Sequence, residues 1–228
     1  MMLINLISLD QERGSLMENE LLNTFDKVAE EYFANANSIH GLGSNSNKLL
    51  SACSDLINKT LSLTDKEIIY TSGNIENNNL CIQGYLSIFN SQKHILVENG
   101  IDENIVLILK ELNIPYNYFD SYDESLLKNN TALICLKSDI TKELPKNIKT
   151  YCHISNIDIK NINKYDFIGI DGYEEFNISG IGCLIKNKDI NLIPLIHGGK
   201  STTKYRSGTP CNELIAVLAK AIKIKYSK

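Results

Sequence analysis

The sequence lacks the features that mark several common protein classes. It has no tryptophan, only four prolines, and six cysteines that never form a Cys-x-x-Cys pair. Most of the cysteines lie in apolar stretches, which favours buried reduced thiols over a disulfide framework or a zinc site. A basic block is also absent from this chain of net charge -4, so nucleic acid is not expected as a partner.

Long uncharged hydrophobic runs are missing too, so the sequence predicts no membrane-spanning segment and no membrane partner. The apolar opening from Met1 to Leu9 has no basic region before it, and Asp10, Glu12 and Arg13 follow it directly. This pattern favours a first β-strand over a signal peptide. We therefore expect a cytoplasmic protein.

The remaining composition is that of an ordinary globular domain. Of the 228 residues, 43% are hydrophobic and 22% are charged, which is enough to bury a proper core. Neither an internal repeat nor a linker of biased composition interrupts the chain. A single domain over residues 1–228 is the expected organisation.

Short β-branched segments alternate with longer helical patterns from Ile68 onward, which is typical of βαβ units. Apolar residues recur at helical spacing in two places, around Cys53 and around Val217. We predict an α/β fold with a mostly parallel sheet flanked by helices. The strand-like segments are residues 67–71, 94–97, 114–119, 132–136, 151–155, 166–170 and 182–185.

Residues 137–149 break this alternation. About a dozen residues with a proline and several lysines are hardly enough for a packed crossover helix between parallel strands. We therefore expect the sheet to be incomplete or to have an irregular edge there.

Three motifs together resemble one protein family. They are S-I-H-G-L-G at 38–43, I-I-Y-T-S-G-N-I-E-N-N-N-L at 68–80 and H-G-G-K-S-T-T-K-Y-R-S-G-T at 197–209. In order and spacing they resemble S-I-H-x-x-G, F-T-S-G-A-T-E-x-N-N and H-G-G-G-x-E-R-G-x-R-S-G-T of the cysteine desulfurase branch of the class V, fold-type-I pyridoxal phosphate enzymes. The similarity runs from about residue 7 to 119 and resumes at about residue 151.

The resemblance implies the large domain of the fold-type-I enzymes and a two-fold homodimer with cofactor sites near its interface. It covers no counterpart of the family's C-terminal small domain, whose mobile loop carries the nucleophilic cysteine. None of the six cysteines is therefore expected to act as that nucleophile, and a partner protein is the alternative occupant of the dimer face.

The resemblance also implies that the cofactor lysine is replaced. In the family, S-x-H-K follows a strand and carries the Schiff-base lysine; here the matching segment after the strand begins with Asp171, and Tyr173 and Glu174 occupy the histidine and lysine positions. A carboxylate cannot form an imine, and it adds negative charge where a phosphate dianion would bind. We therefore predict that no cofactor is bound.

Other positions that the family uses for the cofactor are changed in the same way. Ile75 matches the phosphate-binding threonine, Asp102 the histidine that stacks on the pyridine ring, and Ser155 the aspartate that pairs with the pyridine nitrogen. The family's N-terminal N-A-A-T-T loop aligns with residues 11–15. Ser72 and Gly73 keep the shape of the turn, whereas Asn74 is also one of the changed positions. The R-S-G-T loop from Arg206 to Thr209, which in the family reaches the phosphate of the other subunit, is kept.

Free backbone N–H groups at the helix that begins near Asn74 would still allow a weak anion site. Most other polar residues have plain structural interpretations. His40 is expected to be a hydrogen-bond partner, His153 to pack in the core, and the pair Glu174 and Glu175 to lie in a solvated turn. Most of the Asn77–Asn79 run is also expected to have a structural role. The loop that contains Lys200, Lys204 and Arg206 is expected to be solvated or to bind phosphate.

Three functions stay open from sequence. The first choice is a noncatalytic desulfurase-like protein that acts by binding protein. The second is a pyridoxal phosphate enzyme with an altered site that uses another lysine, with Lys164, Lys186 and Lys200 as the nearest candidates. The third is a noncovalent binder of a phosphate ligand at the turn after Thr71.

Overall fold

The computed structural model describes residues 17–139, 142–199, 201 and 203–227. The predicted first strand at Met1 to Leu9 and the loop matched to residues 11–15 lie outside these ranges. Lys200, one of the alternative lysines, does so as well.

Six α-helices and seven strands make up the described chain. The helices are α1 (Asn19–Glu31), α2 (Gly41–Thr60), α3 (Asn74–Asn79), α4 (Glu103–Glu111), α5 (Gly172–Phe176) and α6 (Asn212–Tyr226). The strands are β1 (Lys66–Thr71), β2 (His94–Glu98), β3 (Tyr116–Phe119), β4 (Thr131–Leu136), β5 (Lys149–His153), β6 (Phe167–Asp171) and β7 (Gly182–Asn187). Within the described ranges, no helix combines the length and the apolar character that crossing a membrane requires.

The seven strands form one mixed, mostly parallel sheet in the order β1-β7-β6-β5-β4-β2-β3. Strand β7 runs antiparallel to both of its neighbours, and the other adjacent pairs are parallel. This confirms the predicted fold class and all seven predicted strands. Their ends differ by a few residues: β5 begins at Lys149 and stops at His153, where a short 3₁₀ turn, Ile154–Asn156, takes over.

Helices cover both faces of the sheet because its central strands are apolar on both sides. On one face α1, α2 and α6 pack over a core that includes Cys53, Val217 and Ile222. On the other face, α3, the π-helical turn Leu80–Gly84 that continues it, and α4 pack over Tyr151 and Phe167. The predicted apolar faces of α2 and α6 are confirmed by this packing.

The connection between β4 and β5 has no helix among its described residues, 137–139 and 142–148. The expected gap or irregular edge in the sheet is nevertheless wrong. Strands β4 and β5 pair directly from Leu133 with Lys149 to Leu136 with Cys152, in the middle of the sheet. About a dozen residues are long enough to connect two adjacent parallel strands without a helix, so the pairing of β4 with β5 does not require one.

Five of the six cysteines are buried, as the sequence predicted, and Cys211 is exposed. Burial raises the pKa of the Cys53 thiol to about 11 and that of Cys183 to about 12. The thiolate is the reactive form of cysteine, so these two buried side chains are structural.

Candidate functional site

The candidate site lies where β1 and β6 end, at the edge of the sheet where the parallel strands have their carboxyl ends. Loops at this edge form the usual ligand crevice of open α/β sheets. Here they enclose an open cavity of about 470 Å³. Its wall contains most of the predicted site residues: Ser72, Gly73, Asn74, Ile75, Asp171, Tyr173 and Glu174, together with Asn104, Ser179 and Gly180.

Gly73 makes the turn after β1. Its φ of 142° is a conformation that residues with a Cβ rarely adopt. A Cβ there would lie 3.3 Å from Asp171 Oδ2, and a Cβ on Gly182 would lie 2.8 Å from the Gly73 Cα. The turn and the ends of β6 and β7 are therefore in close contact.

Asp171 fills the space in front of this turn. Its Oδ2 accepts a hydrogen bond from the backbone N–H of Asn74 at 2.7 Å, and its Oδ1 accepts from the N–H groups of Tyr173 at 2.6 Å and Glu174 at 3.3 Å. The same carboxylate thus caps α5 and ties it to the start of α3. The expectation of free N–H groups here is wrong for Asn74, because a carboxylate of the chain already binds its donor.

Glu76 accepts a hydrogen bond from a second backbone N–H of the turn. Its Oε2 accepts from the N–H of Ser72 at 2.7 Å, and its Oε1 pairs with Arg206 Nε at 3.0 Å. Arg206 is therefore neutralised by its own chain. Thr209, at the other end of the retained loop, accepts a hydrogen bond from the Asn35 side chain at 3.2 Å.

Asp102 is the N-cap of α4, since its Oδ1 accepts from the N–H of Asn104 at 3.0 Å. Its Oδ2 accepts from the side chains of Asn74 at 2.7 Å and Asn78 at 3.3 Å. These bonds hold a carboxylate where the resemblance places a stacking ring. A carboxylate has no aromatic face, so the position can no longer stack on a cofactor.

A buried hydrogen-bond network lies behind this wall and contains three residues that were not among the predicted site residues. Asn78 Oδ1 accepts from Tyr151 at 2.5 Å and lies 3.0 Å from His153 Nε2, which is 3.1 Å from the Tyr151 hydroxyl. Burial lowers the pKa of His153, which favours the neutral ring. The alternation of side chains along β5 could have indicated that Tyr151 and His153 share a face.

Ser155 does not reach the site. It is exposed in the 3₁₀ turn that follows β5, because the strand stops two residues earlier, at His153. The face that points toward Asn78 is therefore occupied by His153.

Several other predicted roles are confirmed by the hydrogen bonds. His40 Nδ1 accepts from the N–H of Gly43 at 3.2 Å and caps α2. In the asparagine run, Asn77 bridges Thr71 and the Ile170 carbonyl from a fully buried position, whereas Asn79 is half-buried and bonds within its own helix.

The acidic pair of α5 divides into two different environments. The Glu175 side chain is only 5% exposed and pairs with Lys225 at 2.6 Å, so the solvated turn expected for it is wrong. Glu174 lines the cavity. Partial burial, followed by the charges of Asp171 and Asp102, raises the pKa of its carboxyl.

These residues do not fit pyridoxal phosphate. Two backbone donors of the turn are bound to Asp171 and Glu76. Acidic side chains in the cavity wall, Asp171 and Glu174, disfavour a phosphate dianion. Glu174 also offers no amine at the position that the lysine would take.

Two of the alternative lysines, Lys164 and Lys186, lie within the described residues, at the other edge of the sheet. Lys164 lies three residues before the first residue of β6, Phe167, with which Lys186 pairs. Lys186 is fully buried and forms an ion pair with Glu67 at 2.8 Å. The length of β6 separates the backbone at both positions from the cavity by roughly 13 Å or more. On the carboxyl side, Lys137 follows β4 and approaches Gly100.

Groups of three or more histidine, cysteine or acidic side chains that could hold a metal ion are not found in the part of the chain that the structure describes. The carboxylates of Asp102 and Asp171 accept hydrogen bonds from backbone and side-chain N–H donors instead.

Comparison with known proteins gives consistent results. The family model for class-V aminotransferases matches residues 7–112. A cysteine desulfurase IscS of Dictyoglomus turgidum is 24% identical over 96% of this chain and 63% of its own length. A NifS/IcsS protein homolog of Lactobacillus delbrueckii is 25% identical over 96% of this chain and 66% of its own length.

Solved structures show the same fold. A NifS-like protein superposes with a TM-score of 0.82 at 20% identity, over 92% of this chain and 67% of that protein. DndA from Streptomyces lividans superposes with a TM-score of 0.70 at 22% identity, over 91% of this chain and 69% of DndA. The resemblance found in the motifs is confirmed. The chain spans somewhat less than two thirds of the length of the curated relatives described above.

Proposed function

We propose that this NifS/IscS-like relative of the class-V aminotransferases is a noncatalytic protein that acts by binding protein, in the first place a second copy of itself. The proposal depends on one observation above all. Asp171 binds the N–H of Asn74 at the turn where the family holds a phosphate, and Glu174 follows at the position of the lysine.

Asp171 and Glu174 both disfavour the binding of pyridoxal phosphate. A Schiff base needs an amine, and a bound phosphate needs backbone donors and positive charge. Glu174 removes the amine, and Asp171 removes the donor at Asn74 and adds a negative charge. The hypothesis of a noncovalent phosphate binder loses its support for the same reason, because it also requires the N–H groups of this turn.

Borohydride reduction after incubation with pyridoxal phosphate tests the noncatalytic assignment. We expect no internal aldimine absorbance band and no stoichiometric phosphopyridoxyl adduct in the mass spectrum of the reduced, unfolded protein, and no sulfide from added cysteine. The cysteine desulfurase of Dictyoglomus turgidum, treated in the same way, is the positive control.

One outcome would reverse the assignment. A stoichiometric adduct on a single lysine, with Lys137, Lys164, Lys186 and Lys200 as the positions to inspect, would make the altered enzyme the better hypothesis. Sparse labelling of many surface lysines would agree with the noncatalytic assignment, because exposed amines react weakly and without a preferred site.

Support for the protein-binding part comes from exposed apolar side chains next to the retained loop. Phe33 is 66% exposed, Leu42 51%, and Ile39 fully exposed, all within ten residues at the junction of α1 and α2. Asn35, in the middle of this segment, bonds Thr209 of the loop. Concentrated exposed apolar surface is typical of interaction sites.

Light scattering at micromolar concentration tests the homodimer. We expect a dimer that dissociates in the variant Ile39→Ser/Leu42→Ser, because the change removes apolar area from the proposed interface. The matched control, Leu107→Ser, removes a partly exposed leucine from α4 and should remain dimeric. A monomer in the unmodified protein would contradict the homodimer and assign this surface to a different protein.

A further inference from the structure

The connection between β4 and β5 leaves a groove at the amino edge of β5 and β6. Parallel strands are usually joined by a helix that covers the sheet, and the described residues of this connection contain neither a helix nor a strand. A cavity of about 740 Å³ lies there, between residues 142–150 and the residues just before β6.

The floor of the groove is apolar. Ile148 is buried and belongs to the same hydrophobic core as α2 and α6, and the partly buried Leu144 packs against that core. Pro145 lies between them and is also only partly exposed. Apolar side chains of a bound segment would therefore contact a surface that is continuous with the core.

The walls of the groove carry positive charge. Four lysines line it, and only two acidic residues, Glu143 and Asp166, lie among them. Asp166 is already paired with one of the four, Lys149, at 3.1 Å. Lys146 and Lys164 are exposed. The whole chain has a net charge of -4, so the positive charge of the groove is opposite in sign to the net charge of the protein.

We infer that this groove binds an acidic amphipathic segment of a partner protein. An amphipathic helix places apolar anchors in a hydrophobic groove, and acidic residues at its borders would pair with Lys146 and Lys164. The described residues that line the groove include no aromatic side chain or arginine on which bases could stack, which disfavours a nucleic acid as its ligand.

The groove is separate from the candidate site, and the inference does not rest on the proposed function. Strand β6 runs from Phe167 beside the groove to Asp171 at the candidate site, so the two lie on opposite edges of the sheet. The pyridoxal phosphate experiment and a peptide-binding experiment on the groove can therefore give negative results independently of each other.

A fluorescent helical peptide of about 15 residues, with leucines on one face and glutamates on the other, is a suitable probe. Fluorescence anisotropy at low ionic strength should show saturable binding that weakens as salt is added. The charge reversal Lys146→Glu/Lys164→Glu should raise the dissociation constant about tenfold or more, because two attractive contacts become repulsive.

Matched controls separate the groove from general surface charge. The variant Lys48→Glu/Lys110→Glu changes two exposed lysines on α2 and α4, and it should bind the peptide with an unchanged dissociation constant. Peptides with lysine in place of each glutamate, or serine in place of each leucine, should bind at least tenfold more weakly. The inference is overturned if the acidic peptide does not bind, or if both double variants raise its dissociation constant equally. It is also overturned if either altered peptide binds as tightly as the original peptide.

Discussion

Asp171→Ala is expected to lower the free energy of unfolding by roughly 2–4 kcal/mol. Loss of an N-cap carboxylate costs about 1–2 kcal/mol, and loss of a hydrogen bond to a charged acceptor costs a similar amount. Asp171 makes both kinds of contact, since it caps α5 and binds the N–H of Asn74 on another element. Urea denaturation of the variant and the unmodified protein measures the difference.

Two further variants divide this effect into its parts. Asp171→Ser keeps an N-cap for α5 but is too short to bind Asn74, so we expect it to lose about half as much stability. Asp158→Ala removes an exposed cap that binds only the N–H of Lys160, at 3.0 Å, and should cost about 1 kcal/mol or less. Equal losses for Asp171→Ser and Asp171→Ala would show that the contact with Asn74 contributes nothing.

Asn78→Leu is expected to cost about 2–4 kcal/mol, although leucine has nearly the same size. Asn78 and Tyr151 are fully buried, and the substitution removes the acceptor shared by the Tyr151 hydroxyl and His153. A buried polar group without its partner incurs most of its desolvation penalty. Asn79→Leu is the matched control and should cost less than about 1 kcal/mol, since Asn79 is half-buried and bonds only within its helix.

A double-mutant cycle with Tyr151→Phe tests the network itself. Removing the hydroxyl and its acceptor together should cost less than the sum of the two single changes, by about 1 kcal/mol, because fewer polar groups remain unpaired. Strict additivity would mean that the contact between Asn78 and Tyr151 does not stabilise the protein.

The retained scaffold and the changed site respond to different physical requirements. Gly73 is needed at the turn after β1 because residues with a Cβ rarely adopt its φ of 142°, and Gly182 is needed because a Cβ there would lie 2.8 Å from the Gly73 Cα, whatever the turn binds. A lysine after β6 is needed only for imine chemistry. The close packing can therefore persist while Glu174 and Asp171 replace residues that a cofactor would require.

Local patterns were sufficient for the elements of the fold. Short β-branched segments predicted all seven strands, because buried parallel strands need such residues on both faces. The apolar spacing around Cys53 predicted the buried face of α2, and the three glycine-containing motifs indicated the resemblance that the comparisons confirm. The sequence also indicated that no crossover helix joins β4 to β5, because too few residues lie between these two strands.

The sequence by itself determined the strands, the helices and the residue types at the positions that match the family's site. Only the tertiary structure decided what those residues do. Asp171 binds the N–H of Asn74 from 97 positions away, and His153 rather than Ser155 faces Asn78 because β5 stops where it does. The reason is physical: secondary structure follows from neighbours in the chain, whereas hydrogen-bond partners depend on how strands from distant segments are aligned in the sheet.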